Sequence, residues 1–256
     1  MKSTLLTFAG IDGMTLQASE LLQTEAADAC TQRGVFNLAI SGGSTPVKLF
    51  SRLGGELADC FPAFQTQVFW CDERCVSPDH RWSNFGLANR LWFQPAAFPS
   101  DNLYPVSTKF SRNLAARKYE ELLRRYFPVL ERTGSGSIEG QSTFDLCILG
   151  MGVDGHVASL FPQSPALAQS ERWVMGVRAP MHVSPQVDRV TLTLEILCRS
   201  RVVMVMVAGK QKAAIVARIL AGEPEVAALP AARIGAQKRI YWLVAESGLV
   251  APFRVS

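Results

Sequence analysis

The chain has 256 residues, 48% of them apolar and 19% charged, so it can bury a sizeable core without disulfides or metals and is not a largely disordered protein. Its 26 Lys and Arg against 22 Asp and Glu give a net charge of +4 with no basic run, which argues against a nucleic-acid surface while suiting a small anionic partner. No uncharged apolar run is long enough to span a bilayer, and the apolar stretch 5–11 is too short for a cleavable signal sequence, so no membrane association and a cytoplasmic location are expected.

Residues 13–33 read as a helix, with Leu16, Leu21, Leu22 and Ala29 spaced toward one face. An apolar strand at 35–41 then stops in Ser41-Gly42-Gly43-Ser44-Thr45-Pro46, where Thr45 can cap a new helix and Pro46 suits its first turn. A second strand at 68–71 ends in Asp72-Glu73-Arg74. Residues 83–93 look helical, and 111–127 form the clearest amphipathic helix, with Tyr119, Leu122, Leu123 and Tyr126 on one side. The Gly- and Ser-rich stretch 133–142 reads as a surface loop rather than a domain boundary.

A third strand at 144–149 runs into Gly150-Met151-Gly152-Val153-Asp154-Gly155-His156. Further strands are expected at 173–178 and 189–192. The nearly pure apolar run 202–207 fits a strand buried on both faces. Gly209, a helix at 211–220 and a last strand at 240–244 complete the pattern. Strands alternating with amphipathic helices predict a single α/β domain over residues 1–256, Rossmann-like, with a mainly parallel sheet and helices on both faces. Ligands of such sheets bind at the carboxyl ends of the strands, and the polar, glycine-rich clusters here follow strands, which gathers them on one rim.

Several of these clusters carry two readings. Ser41 to Thr45 is either an ordinary strand-to-helix turn or an anion cradle of backbone amides and hydroxyls. Gly150-x-Gly152-x-x-Gly155 matches a dinucleotide fingerprint in form, but Asp154 would put a carboxylate where a pyrophosphate must approach and Pro162 limits the helix that should follow. His156 is either a structural histidine or a general base with Asp154 to orient it. His80 and His182 fall in polar loops and read as surface residues. Asp72-Glu73-Arg74 is a solvated turn or part of a substrate site; Arg189 and Lys212 are surface charges or phosphate ligands. The six cysteines form no Cys-x-x-Cys and read as buried, reduced thiols; no metal site is expected.

Taken together, Ser41-Gly42-Gly43-Ser44-Thr45-Pro46, Asp72-Glu73-Arg74 with Ser83-Asn84, the run from Gly150 through His156 to Ser159-Leu160-Phe161-Pro162, Arg189-Val190-Thr191-Leu192-Thr193 and Gly209-x-x-Lys212 resemble the 6-phosphogluconolactonase family. The related glucosamine-6-phosphate deaminases carry a catalytic glutamate after a similar Asp-Gly-His loop; this chain has none there. Two departures are Gln163, where lactonases often have glycine, and Cys75, where a larger residue is common. The resemblance implies hydrolysis of 6-phosphoglucono-1,5-lactone without metal or organic cofactor. His156, Asp154 and Arg74 would be catalytic. Gly42, Gly43, Ser44, Thr45, Asp72, Glu73, Asn84, Gly155, Arg189 and Lys212 would bind the phosphorylated sugar lactone. A monomer or weak homodimer is expected. The alternatives are a sugar-phosphate deaminase or isomerase and a non-catalytic sugar-phosphate sensor; a sensor of that kind usually carries a DNA-binding segment, for which the chain has no spare residues.

Overall fold

The computed structural model describes residues 2–127 and 142–247. The stretch expected as a surface loop, 133–142, therefore lies outside the described residues apart from Ser142.

The central strands are short and apolar. β2 (Phe36–Ile40), β3 (Thr66–Trp70), β6 (Leu146–Gly150) and β9 (Val202–Ala208) lie side by side in the order β9-β6-β2-β3. Every residue from Val202 to Val207 is buried, so both faces of the sheet are covered at β9, as a continuous apolar run demands. β10 (Arg239–Ser247) and β1 (Lys2–Gly10) extend the sheet beyond β9, and the two-residue β5 (Leu103–Tyr104) extends it beyond β3, giving seven strands. All six pairings are parallel. The mainly parallel α/β class is therefore as expected.

The helices are α1 (Ile11–Arg33), α2 (Val47–Gly54), α3 (Asn84–Ala88), α4 (Arg112–Tyr126), α5 (Leu194–Leu197) and α6 (Lys210–Leu220). α1 packs on β1, β2 and β10, and α6 on β9 and β10. α3 starts on Ser83, whose hydroxyl accepts from Gly86 N, and runs on through a wide turn at Asn89–Phe93. Pro46 is itself the N-cap of α2 and no side chain caps that helix, which corrects the expectation of a Thr45 cap. Thr45 is buried instead of facing the first turn's solvent edge.

The sequence reading differs from the structure in three further places. Residues 2–10 form a full edge strand. Its burial pattern never reaches a fully covered residue, so its apolar signal is weak. The strands near 173–178 and 189–192 do not join the main sheet. β8 (Asp188–Leu192) pairs antiparallel with β7 (Val174–Arg178) on one side and with β4 (Asp72–Arg74) on the other, in a second, three-stranded sheet. Finally, only Cys71 and Cys147 of the six free cysteines are buried, with their sulfurs 3.4 Å apart, while Cys60 is exposed.

Because β2, β3, β6 and β9 run parallel, their carboxyl ends form one rim. β2 leads outward to β3 and β5, whereas its other neighbour β6 leads the opposite way to β9 and β10. The gap between β2 and β6 is the point where the winding reverses, the place where such sheets open a crevice.

Candidate active site

A cleft of about 300 Å³ opens at that reversal point. From β2 it is lined by Ser41, Gly42, Gly43, Ser44 and Thr45; from beyond β6 by Gly152 and His156; from β4 and β8 by Asp72, Arg74 and Arg189; and from α6 by Lys212. The clusters that sequence spacing placed on one rim thus converge.

The β6 loop is built around a histidine. His156 Nδ1 lies 2.5 Å from Asp154 Oδ1, and the backbone N–H of His156 donates to the same oxygen at 3.2 Å. An ionised carboxylate only accepts, so Nδ1 carries a proton, and in the neutral ring Nε2 is then the nitrogen with the lone pair. No protein group among the described residues hydrogen-bonds Nε2, and the ring lines the cleft. Burial works against ionisation of Asp154, but hydrogen bonds from His156 and His182 outweigh it and hold the carboxyl well below the usual carboxylate range. The loop can close this tightly only because residue 152 is glycine: a Cβ there would collide with the His156 ring and the Asp154 carboxylate.

After His156 the chain makes no helix. It folds through small bridges, Met151 with Val157 and Val157 with Leu160, so the glycine pattern lacks the helix N-terminus a dinucleotide needs. Gly155, proposed from sequence as a substrate contact, faces away from the cleft: it abuts Leu229 and its carbonyl accepts from Ala231 N.

Asp72-Glu73-Arg74 divides by the two-residue period of a strand. Asp72 and Arg74 point into the cleft, opposite Thr191 and Arg189 of β8. Glu73 points the other way, 1% exposed, and accepts from the backbone N–H groups of Arg74, Asn84 and Phe85 and from the Ser83 hydroxyl. It fastens the start of α3 and has no face in the cleft. Asn84 is likewise buried outside it, donating from Nδ2 to the Asp72 carbonyl at 2.8 Å and to Asp72 Oδ1 at 3.1 Å. Its side chain occupies the space where Gly42 would carry a Cβ, so the cradle turn and the Asp72 strand meet through it.

The electrostatics are lopsided. Arg74 and Arg189 stand directly opposite each other on paired strands, an arrangement of like charges that costs stability. Arg74 donates from Nη1 to the Trp82 carbonyl and Arg189 from Nη2 to the Pro185 carbonyl. The buried Nε of each has no protein partner, and neither side chain forms an ion pair among the described residues. Burial lowers the Arg189 pKa, partly offset by nearby Asp72 and deepened by Arg74. Burial also lowers that of Lys212, against the pull of Asp154. Three cations thus surround the cleft with donors to spare.

Four residues that sequence reading assigned no role help build the site. Ser159 donates to Asp72 Oδ2 at 2.6 Å and takes Thr191 Oγ1 on its backbone N–H at 3.1 Å, tying the histidine loop to β4 and β8. The Phe161 ring stands 5.0 Å from the His156 ring and 5.5 Å from the Arg189 guanidinium, forming their common wall. His182, expected as an ordinary surface residue, contacts Asp154 Oδ2 at 3.0 Å. Ser159, Phe161 and Thr191 belong to the motifs that carry the family resemblance, but their residue types alone give them no task; their fold neighbours do. Among the described residues no group of three or more His, Cys, Asp or Glu side chains is arranged to hold a metal ion.

Residues 11–242 match the family described as glucosamine-6-phosphate isomerases/6-phosphogluconolactonase. The chain is 31% identical over 246 residues to the 6-phosphogluconolactonase of Nostoc sp., an alignment covering 95% of this chain and 96% of that one. It is 34% identical over 223 residues to the 6-phosphogluconolactonase of Synechocystis sp., covering 86% of each. The crystal structure of 6-phosphogluconolactonase from Thermotoga maritima superimposes with a TM-score of 0.80 at 29% identity, covering 96% of this chain and 100% of that one. With sequence, fold and rim geometry in agreement, the chain belongs to the glucosamine-6-phosphate isomerase/6-phosphogluconolactonase family.

Proposed function

We propose that this protein hydrolyses 6-phospho-D-glucono-1,5-lactone to 6-phospho-D-gluconate, a step of the pentose phosphate pathway, in the cytoplasm. The observation that carries the reading is the pairing, within one cleft, of an imidazole with a free Nε2 lone pair and three cations without carboxylate partners.

A δ-lactone carbonyl is already electrophilic, so no covalent nucleophile is required. His156 Nε2 takes a proton from water as the water oxygen bonds to C1. Asp154 remains ionised and stabilises the imidazolium. The negative charge developing on the carbonyl oxygen needs a preorganised donor, and Arg74, anchored through Nη1 on Trp82, has donors left for it. Collapse of the tetrahedral intermediate breaks the bond from C1 to the ring oxygen, which receives the proton back from His156. The Ser44 and Thr45 turn, Arg189 and Lys212 hold the phosphate, and that binding orients the ring over His156. Asp72, held by Ser159 and Asn84, is left to accept from sugar hydroxyls.

The family name also covers isomerases acting on glucosamine 6-phosphate. Against that reading, the position after the histidine loop is filled by Phe161, whose ring packs on His156 where an acid would be needed.

The test is proton release from freshly prepared lactone against the spontaneous hydrolysis blank. We expect clear acceleration, and a loss of turnover of about 10²-fold or more in His156→Ala, with binding of 6-phosphogluconate kept within a fewfold. Near-wild-type turnover in that variant would remove His156 from the mechanism. Ammonia release from glucosamine 6-phosphate, without lactone turnover, would move the protein to the isomerase branch.

A further inference from the structure

Between β7 and β8 the chain runs as a strap, residues 179–187, whose Ser184 reaches the cleft lining. The strap is braced from within: Gln186 Nε2 donates to the carbonyls of Pro180 at 2.6 Å and Val183 at 2.7 Å. Arg189 Nη2 donates to the Pro185 carbonyl at 3.1 Å, and Ser184 lines the cleft. His182 rides on this strap with its side chain 62% exposed, yet its Nε2 sits 3.0 Å from Asp154 Oδ2. A surface histidine with no role would spend its exposure on solvent; this one completes a chain of three groups.

Asp154 therefore has an imidazole on each oxygen, His156 on Oδ1 and His182 on Oδ2. Both rings donate, since the carboxylate only accepts. Asp154 itself sits in a loop flanked by glycines, Gly152 and Gly155, and a carboxylate held through one oxygen can still pivot about its terminal torsion. The second ring removes that pivot. Lys212 is the other charged group drawn to Asp154, by electrostatic attraction alone.

We infer that His182 is a positioning residue for the His156 base: by gripping Asp154 Oδ2 it fixes the plane of the carboxylate, and with it the tautomer and aim of the His156 ring. It also ties the strap that carries Ser184 to the residues that would perform the chemistry. The inference rests on the reading of His156 as the base.

The experiment compares His182→Ala, His182→Gln, His156→Ala and the double variant His156→Ala/His182→Ala, with the lactone as substrate and melting temperature as the control for folding. His182→Ala lowers kcat about three- to tenfold, the worth of one charge-assisted hydrogen bond at the edge of solvent, and leaves KM within twofold. Gln presents an amide N–H near the place of Nε2, so His182→Gln returns kcat to within twofold of wild type. The double variant is no slower than His156→Ala, because His182 acts only through the base. Wild-type kcat in His182→Ala, beside a disabled His156→Ala, overturns the inference and leaves the base assignment standing. A loss that Gln does not rescue, or that repeats in full in the His156→Ala background, overturns it as well. Activity retained in His156→Ala strikes the base assignment itself.

Discussion

Gly152 has no side chain because His156 and Asp154 occupy the space one would need. The loop that carries His156 thus depends on backbone freedom, and the two ring contacts to Asp154 restore its order. Gln163 is the opposite case. It sits at φ 63°, in the left-handed region where a side chain crowds the backbone, at the position after Pro162 where lactonases often have glycine. The departure from the family pattern therefore has a steric meaning. Gln163→Gly should relieve the crowding and stabilise the protein by about 0.5–1 kcal/mol, seen as a rise in melting temperature with unchanged kcat. A fall in melting temperature would show that the Gln163 side chain supplies more than its backbone costs. At this scale the site is legible in part: His156 and Asp154 stand out by residue type in a glycine-rich loop after a strand, whereas Asp72, Arg74, Arg189 and Lys212 read equally as solvated charges and are singled out only by the family resemblance. Glu73 and Asn84 belong to the same cluster but lie outside the cleft lining, because a run of charged letters does not say which side chain faces in.

At the scale of elements, the three residues of β4 decide that question. Leaving β3 they cross to a second sheet and pair with β8, and the strand's alternation sends Asp72 and Arg74 to the cleft and Glu73 to the start of α3. A short charged strand has no apolar signature, so the second sheet was invisible in sequence and its apolar members β7 and β8 were assigned to the main one. β1 was missed for a related reason: an edge strand needs no continuous apolar run. Glu73 carries a measurable consequence. Burial pushes its pKa up to about 7, against the backbone amides of Phe85, Asn84 and Arg74. The folded protein then holds this proton to a higher pH than the unfolded chain does. Between pH of about 4.5 and 7, unfolding releases it, so stability falls as pH rises through that window, by up to about 3 kcal/mol. Asp154, whose pKa is lowered, loses its contribution only below that window, as pH falls. Glu73→Gln should flatten the slope. Denaturant unfolding of both proteins at pH 5 and pH 7.5 reads the difference; equal slopes would mean that Glu73 ionises as it does in water.

Over the whole molecule, the site depends on a parallel sheet that brings four strand ends to one rim. That much follows from the alternation of strands and helices in the sequence. The opposition of Arg74 and Arg189 does not, because residues so far apart in the chain meet only through the second sheet. The native state carries this repulsion in the absence of an anion, and an anionic ligand should repay it. At 6-phosphogluconate concentrations of about 100 times Kd, linkage supplies roughly 2.7 kcal/mol, or a melting-temperature increase of roughly 5–10 °C for a chain of this size. Arg189→Ala should lose most of that increase; an undiminished one would place the phosphate elsewhere. The order β1-β10-β9 has a last consequence, for how the protein comes into being. Lys2 pairs with Arg239, and β10 lies between β1 and β9. β1 therefore has no neighbour until β10, far along the chain, has been made, and neither β1 nor the flank of β9 can be sealed before then. Until β10 is made, two unpaired edges wait for one strand, so a pause in translation before it is when this chain is most open to pairing with the wrong partner.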